Sequence, residues 1–283
     1  RDRSYPTGQK GGFALEMFLY GFMQRAFQAS TLIAIMAPVL GLLLILRRQS
    51  LMADTLSHVS LAGVALGMLL NINPTLTTLG IVILAAIGIE YLRVIFKGYS
   101  EISVAILMAT GMAVALVLMS FVSGKQNASV EQFLFGSIIT INDDQILILL
   151  ALAIIVVLLY LIFRKPLYVL TFDEDTAHTA GLPVRMMSLL VSVITGVAIS
   201  VVMPITGSLL VSSIMILPAA ISMRLVHTFN GVILLGIGIG LTGMYGGLFA
   251  SYQYGTPPGA TITLVFVAMF ILTSIYKVLV EKK

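Results

Sequence analysis

The chain has 283 residues, of which 59% are hydrophobic and 10% charged, against roughly 45–50% apolar and about 25% charged in soluble domains. Apolar runs of about 20 residues, each able to cross a hydrocarbon core about 30 Å thick, recur along it and exclude a soluble globular domain. Cysteine is absent and the net charge is +4, so disulfides, thiolate metal sites and thiol nucleophiles are excluded, and nothing in the charge pattern signals nucleic acid.

Residues 1–16 (RDRSYPTGQKGGFALE) are polar and Gly-rich and precede a Met at position 17, and they read as a tag remnant or disordered tail outside the fold. Residues 17–283 are expected to form one all-α transmembrane domain, a polytopic integral membrane protein. Nine apolar segments can be marked: Ala29–Leu46, Ser50–Leu70, Thr75–Ile95, Ile102–Val122, Gln145–Phe163, Met186–Met203, Ile205–Met223, Gly231–Tyr252 and Ala260–Tyr276. The sixth and seventh are short and only Pro204–Gly207 (PITG) separates them, so one is expected to be broken or to stop short of a full crossing. The expectation is therefore eight to nine transmembrane helices.

With Arg47 and Arg48 in the cytoplasm, counting crossings puts Arg93, Lys97, Arg164, Lys165, Arg185, Arg224, Lys277, Lys282 and Lys283 on the same side. Beyond the opening stretch only Arg25 and Lys125 fall opposite. That asymmetry sets an extracytoplasmic N-terminus and a cytoplasmic C-terminus.

The second segment carries Asp54 and His58, four residues apart and so on one helix face, about 6 Å apart along the axis. A carboxylate inside a membrane costs on the order of 3 kcal/mol on insertion scales, and it needs a partner or a wet path. Three readings are open at this point: ligands for a divalent metal, an internal Asp–His hydrogen bond, or a proton relay. An oxygen and an imidazole nitrogen suit Zn(II), Mn(II) or Fe(II), and two copies meeting at a dimer axis would give the four ligands of a tetrahedral site. Just beyond, Gly63 and Gly67 have the small-xxx-small spacing that lets helices approach closely, as do Gly236/Gly240 and Gly243/Gly247.

The stretch Ser123–Asn142 holds Lys125, Glu131 and the apolar FLFGSI, which reads as an extracytoplasmic loop with a partly buried or re-entrant piece. Its Asn127-Ala-Ser129 also matches a glycosylation acceptor, a weak motif. The longest polar cytoplasmic stretch is Tyr168–Arg185. There Thr171 and Glu174 are spaced as a capping box, and Gly181 and Pro183 are stop signals. A helix of about two turns is expected at about 171–181, with Asp173, Glu174 and Asp175 at its favourable N-terminal end and Phe172 and His178 open to the cytoplasm. A connector between neighbouring spans needs only a few residues, so a capped helix there reads as a docking element. His227 reads as a surface residue. Tyr252–Ala260 (YQYGTPPGA) is a turn-rich reversal.

No Walker-type phosphate loop, HExxH or GxSxG occurs in the chain. It is not expected to be an enzyme, and energy for transport would come from a gradient or a partner.

From about Met17 the chain resembles permeases of the zinc/manganese/iron class of ABC importers. The resemblance rests on RRQSLMADTLSH (Arg47–His58), GVALG (Gly63–Gly67), DEDTAHTAGLPVR (Asp173–Arg185), LPAA (Leu217–Ala220) and YQYGTPPGA (Tyr252–Ala260). The chain departs from the usual family pattern at Leu61-Ala-Gly63, where Leu-Pro-Gly is common, and at Gly255, where an acidic residue often stands. The resemblance implies an ABC importer permease-like fold, with Asp54 and His58 lining the metal pathway. It implies that Phe172–Ala180 enters a groove of an ATPase subunit, so that Phe172, Asp173, Glu174, Asp175, His178 and Gly181 form the coupling segment. It further implies a homodimer in the bacterial cell membrane, a cytoplasmic ATP-binding subunit and an extracytoplasmic metal-binding protein, with Zn2+ or Mn2+ as cargo and no tightly bound cofactor. The affinity order of divalent ions leans this expectation to zinc, with manganese next. The alternative is an ion-gradient-driven secondary transporter, against which stands the lack of a clear internal repeat.

Overall fold

The structure is a computed structural model that describes residues 20–96, 100–122, 133–137, 141–172 and 174–281, with the backbone alone at 94, 100, 174, 175 and 281. The opening tail, Lys97, Lys125, the 127–129 acceptor, Glu131, Asp173, Lys282 and Lys283 lie outside the described residues. Its elements are α1 (Gly21–Leu46), α2 (Ser50–Leu70), α3 (Pro74–Ile95), α4 (Ser100–Phe121), α5 (Asp143–Phe172), α6 (Glu174–Thr179), α7 (Val184–Thr206), α8 (Val211–Leu225), α9 (Phe229–Tyr254) and α10 (Pro258–Glu281). No strand occurs among the described residues. All-helical architecture is what a lipid solvent imposes on an open chain, because a helix satisfies its backbone groups within itself.

Eight of these helices are long and apolar enough to cross a membrane. The exceptions are the six-residue α6 and α8, whose 15 residues reach only about 22 Å. The expectation of eight to nine crossings therefore resolves into eight full-length helices and one short one.

The helices sort into an inner and an outer set. α1 and α2 each bury 72% of their apolar window and α7 buries 67%, whereas α10 buries 11%. The outer helices present Leu, Ile and Val outward, which in water would be unstable and in lipid is the ordinary solvated surface. Between inner helices there is little hydrophobic drive in a membrane, so close approach of backbones takes its place. α9 uses both of its small-residue pairs in this way, on different neighbours. Gly240 lies against Ala34 and Gly236 against Pro38 of α1, while Gly247 lies against Ile262 of α10 and Gly243 against Phe266.

The α2–α3 hairpin is closed by the other pair. A Cβ at Gly63 would stand 2.5 Å from the Cα of Thr78, and one at Gly67 would stand 2.7 Å from the Cα of Pro74. The Thr77 hydroxyl donates to the Gly63 carbonyl at 2.9 Å, tying the two helices where their backbones nearly touch.

Between α7 and α8 the helix is broken at Gly207–Leu210. Gly207 has φ 88° and ψ 147°, a region essentially reserved for glycine. The broken backbone is satisfied from the segment 133–137: the Ser208 N–H donates to the Phe133 carbonyl at 2.9 Å, and the Ser137 N–H donates to the Pro204 carbonyl at 3.2 Å. The apolar FLFGS piece thus packs against the broken helix and supplies the partners that lipid cannot. This is the partly buried piece expected of that stretch, and the break begins at Gly207, the last residue of the expected PITG.

Two local expectations are corrected. The fifth segment does not stop at Phe163, because α5 continues to Phe172, with Leu167 and Leu170 buried in a small cluster with Leu43, Ala177, Val184, Met187 and Val191. Thr171 is consequently inside α5, and its hydroxyl donates back to the Leu167 carbonyl instead of capping the next helix. The capping box therefore does not form; the separate helix begins at Glu174.

Candidate metal centre

Asp54 and His58 occupy the second and third turns of α2, on its one partly open stripe, Leu51–Asp54–His58–Leu66. The side chains of the pair are 37% and 12% exposed. His58 Nε2 stands 3.8 Å from Asp54 Oδ2, too far for a hydrogen bond. Two ligands on a tetrahedral ion with bonds of about 2.0–2.1 Å are about 3.3–3.5 Å apart, so the pair needs only a small adjustment to share one ion. His58 Nδ1 is buried and has no hydrogen-bond partner among the described residues. No group of three or more His, Asp, Glu or Cys gathers anywhere among the described residues. One chain thus offers at this point a two-ligand half-site.

The half-site is built from two helices. Asp54 Oδ1 accepts a hydrogen bond of 3.3 Å from the Ser212 hydroxyl, at the start of α8. One turn along α2, the Ser57 hydroxyl donates to the Ser208 carbonyl in the break, and the Ser60 hydroxyl contacts Met203 Sδ at 2.6 Å. The break between α7 and α8 is therefore seated against the same turns of α2 that carry Asp54 and His58.

A second polar cluster lies near the end of the bundle that carries Arg47 and Arg93. Glu90 of α3 accepts from Ser188 at 2.9 Å and from Ser192 at 2.5 Å, both on α7, and its carboxylate lies 3.7 Å from the Arg93 guanidinium. Arg93 donates to the Ser188 hydroxyl at 3.0 Å, and Arg47, at the end of α1, reaches the same hydroxyl. Nearby, a cavity of about 200 Å³ at the start of α2 is lined by Arg48, Gln49, Met52, Arg93 and Glu101. Asp54 and His58 do not line it; they sit on the open stripe above.

The segment expected to couple to a partner is set on the surface at that end. α6 is held to the body through the fully buried Ala177, and Gly181, with φ 76°, ends the turn as the Leu182 N–H donates to the Ala177 carbonyl. Phe172 is 60% exposed and its ring lies 4.7 Å from that of Tyr168; His178 is exposed. Asp173 and the side chains of Glu174 and Asp175 lie outside the described residues.

Sequence reading missed Ser57, Ser188, Ser192, Ser212 and Glu90. Glu90 and Arg93 were visible as an intramembrane acid with a base three residues on, a signal that points to a functional or structural pair. The serines carried none, since their roles depend on partners about 100 residues or more away.

The chain is similar along nearly its whole length to proteins of known type. It is 34% identical over 257 residues to a "Probable metal transport system membrane protein" of Treponema pallidum, covering 90% of this chain and 96% of that one. It is 30% identical over 258 residues to the "Manganese transport system membrane protein MntC" of Listeria innocua, covering 91% of each. Among solved structures it resembles a chain of "PsaBC from Streptococcus pneumoniae in complex with Fab", with a TM-score of 0.82 and 28% identity over 94% of this chain and 95% of that one. The model of the ABC 3 transport family matches residues 19–277, and with the relatives above it shows that this chain is a member of that family, a metal ABC transporter permease.

Proposed function

We propose that this chain is the membrane-spanning subunit of an ATP-driven importer of a divalent transition metal, and that Asp54 and His58 are ligands on the metal's path. The observation that carries the reading is the pair itself: a carboxylate and an imidazole on one open stripe of an inner helix, 3.8 Å apart, in a member of a transport family. A half-site of two ligands calls for a second source, and a second copy related by a two-fold axis supplies one oxygen and one nitrogen more. The cytoplasmic partner is an ATP-binding subunit that receives α6 and Phe172. An extracytoplasmic metal-binding protein delivers the ion, and the setting is a bacterial plasma membrane with the Arg-rich end inward.

On the identity of the cargo, the name of the Listeria relative favours manganese, while the lean to zinc rests on affinity order alone. A carboxylate–imidazole set accommodates both. Competition between labelled manganese and unlabelled zinc in the assembled transporter decides between them.

The test of the class is reconstitution into vesicles. With its ATPase subunit, binding protein and ATP, the chain concentrates labelled metal; alone, it does not. Concentrative uptake by the chain alone, driven by a proton gradient, would replace this reading with a secondary transporter.

A further inference from the structure

The two oxygens of the Asp54 carboxylate face different helices. Oδ2 is the one near His58, at 3.8 Å from Nε2, and Oδ1 accepts the hydrogen bond of 3.3 Å from the Ser212 hydroxyl. Ser212 is 9% exposed and is the second residue of α8, immediately after the break. Its position is fixed independently of Asp54. The break is anchored to α2 by the Ser57 hydroxyl on the Ser208 carbonyl, and to the segment 133–137 through the Ser208 and Ser137 N–H groups. Ser212 is thus a donor held at the start of α8 and directed at one particular oxygen of the half-site's carboxylate.

We infer that Ser212 is a positioning residue that sets how Asp54 binds the transported ion, and through that which ions are accepted. This rests on the metal-ligand reading of Asp54 and His58. A carboxylate whose Oδ1 is engaged by a hydroxyl donor presents Oδ2 alone to an ion on His58, so ligation is monodentate. Ions that keep low coordination numbers and short bonds, such as zinc, bind well to such a set. Larger ions gain from two-oxygen ligation and higher coordination numbers. The hydroxyl also draws charge from the carboxylate and favours one of its rotations, so the ligand is oriented before the ion arrives.

Without the hydroxyl, the carboxylate is free to turn and chelate with both oxygens. Loss of such an outer partner weakens binding by about 10- to 100-fold. The change should appear in the apparent KM and in the ranking of ions, with the maximal rate less affected.

The experiment uses the full transporter in cells lacking other high-affinity metal uptake, with wild type, Ser212→Ala, Ser212→Thr and Asp54→Asn compared per folded complex. Uptake of labelled manganese is measured over concentration, with unlabelled zinc and cadmium as competitors. The expected result for Ser212→Ala is a roughly tenfold or larger weakening of competition by zinc with a smaller rise in the manganese KM, so that the manganese/zinc and manganese/cadmium competition ratios shift towards the larger ions. Ser212→Thr keeps the hydroxyl and should return both readouts towards wild type. If Ser212→Ala keeps wild-type KM and ratios while Asp54→Asn abolishes uptake, the positioning role is wrong and the ligand reading stands. If Ser212→Ala and Ser212→Thr lose folded protein or maximal rate alike with unchanged ratios, Ser212 is only a packing residue and the inference fails. If Asp54→Asn transports normally, the ligand reading itself fails and this inference with it.

Discussion

The Ser192 hydroxyl of α7 donates to Glu90 Oε1 of α3 at 2.5 Å, and Ser188, one turn earlier, donates to Oε2 of the same carboxylate. Both serines are buried, at 0% and 2% exposure. A single acid therefore links α3, which packs on α2, to α7, which follows directly from α6. With Arg93 at 3.7 Å, its charge is compensated and its hydrogen bonds are made, as a carboxylate inside a membrane requires.

Glu90→Ala removes the anion that two hydroxyls and a guanidinium face. Breaking a buried pair from one side typically costs about 3–5 kcal/mol, and because Glu90 and Arg93 keep 15% and 23% exposure the expected loss is near the lower end. Glu90→Gln retains the shape and an acceptor for one serine, so it should lose less. Thermal melting of the purified chain in detergent checks the order wild type, Gln, Ala; equal melting temperatures for all three would show that the joint contributes nothing.

Gly207 is placed where neither its conformation nor its surroundings admit a side chain. Its φ of 88° is left-handed and a Cβ would stand 2.5 Å from the Leu134 carbonyl oxygen. Gly207→Ala should destabilise by about 2 kcal/mol or more and should also impair transport, since Ser208 follows it directly and Ser212 lies five residues on. Gly255 serves as the control: its φ is 63°, but a Cβ there would meet nothing within 4 Å. Gly255→Ala should therefore cost only about 1–2 kcal/mol with transport retained. A Gly207→Ala protein with wild-type melting and uptake would refute the role given to the break.

The Asp54–His58 pair was legible in the sequence because helical spacing is a local property: i and i+4 share a face wherever the helix lies. The break was legible for a similar reason, since Pro-Ile-Thr-Gly cannot continue a helix comfortably. What the break brings to α2 was not, because Ser212 meets Asp54 from 158 residues away. The end of α5 was misplaced for a physical reason too. Arg164, Lys165 and Pro166 look like a terminus, yet Leu167 and Leu170 recover a buried face beyond them and the helix runs through.

Phe172 is exposed at the end of α5, beside the short α6, and among the described residues its ring meets the ring of Tyr168. Phe172→Ala should leave the fold unchanged, since a side chain exposed to this degree contributes little burial, but should lower metal uptake per ATP hydrolysed several-fold. Interface aromatics of this kind cost about 2 kcal/mol or more when truncated. ATPase association and the uptake-to-hydrolysis ratio are the measurements. Wild-type values for both would return the segment to a plain connector.

Asp54→Asn and His58→Ala are the direct tests of the half-site. Asn keeps the size of Asp and can still accept from Ser212, but it carries no charge to hold a divalent ion; Ala removes the imidazole altogether. In a two-fold assembly each substitution deletes two of four ligands at once, so the loss of uptake should be severe and not graded. Folding should survive both changes. Asp54 is 37% exposed and His58 Nδ1 has no described partner whose bond would be broken, so neither side chain holds the bundle together. An internal hydrogen bond as the sole role of the pair, already disfavoured by the separation of 3.8 Å, leads to the opposite pattern: reduced yield or melting temperature, with normal transport by the protein that folds. Weak resting occupancy does not count against the site, because a transported ion must leave as well as enter. Uptake of labelled manganese and zinc per folded complex, with ATPase docking measured in the same preparations, separates the two patterns, and near-wild-type rates in both variants would remove Asp54 and His58 from the metal's path.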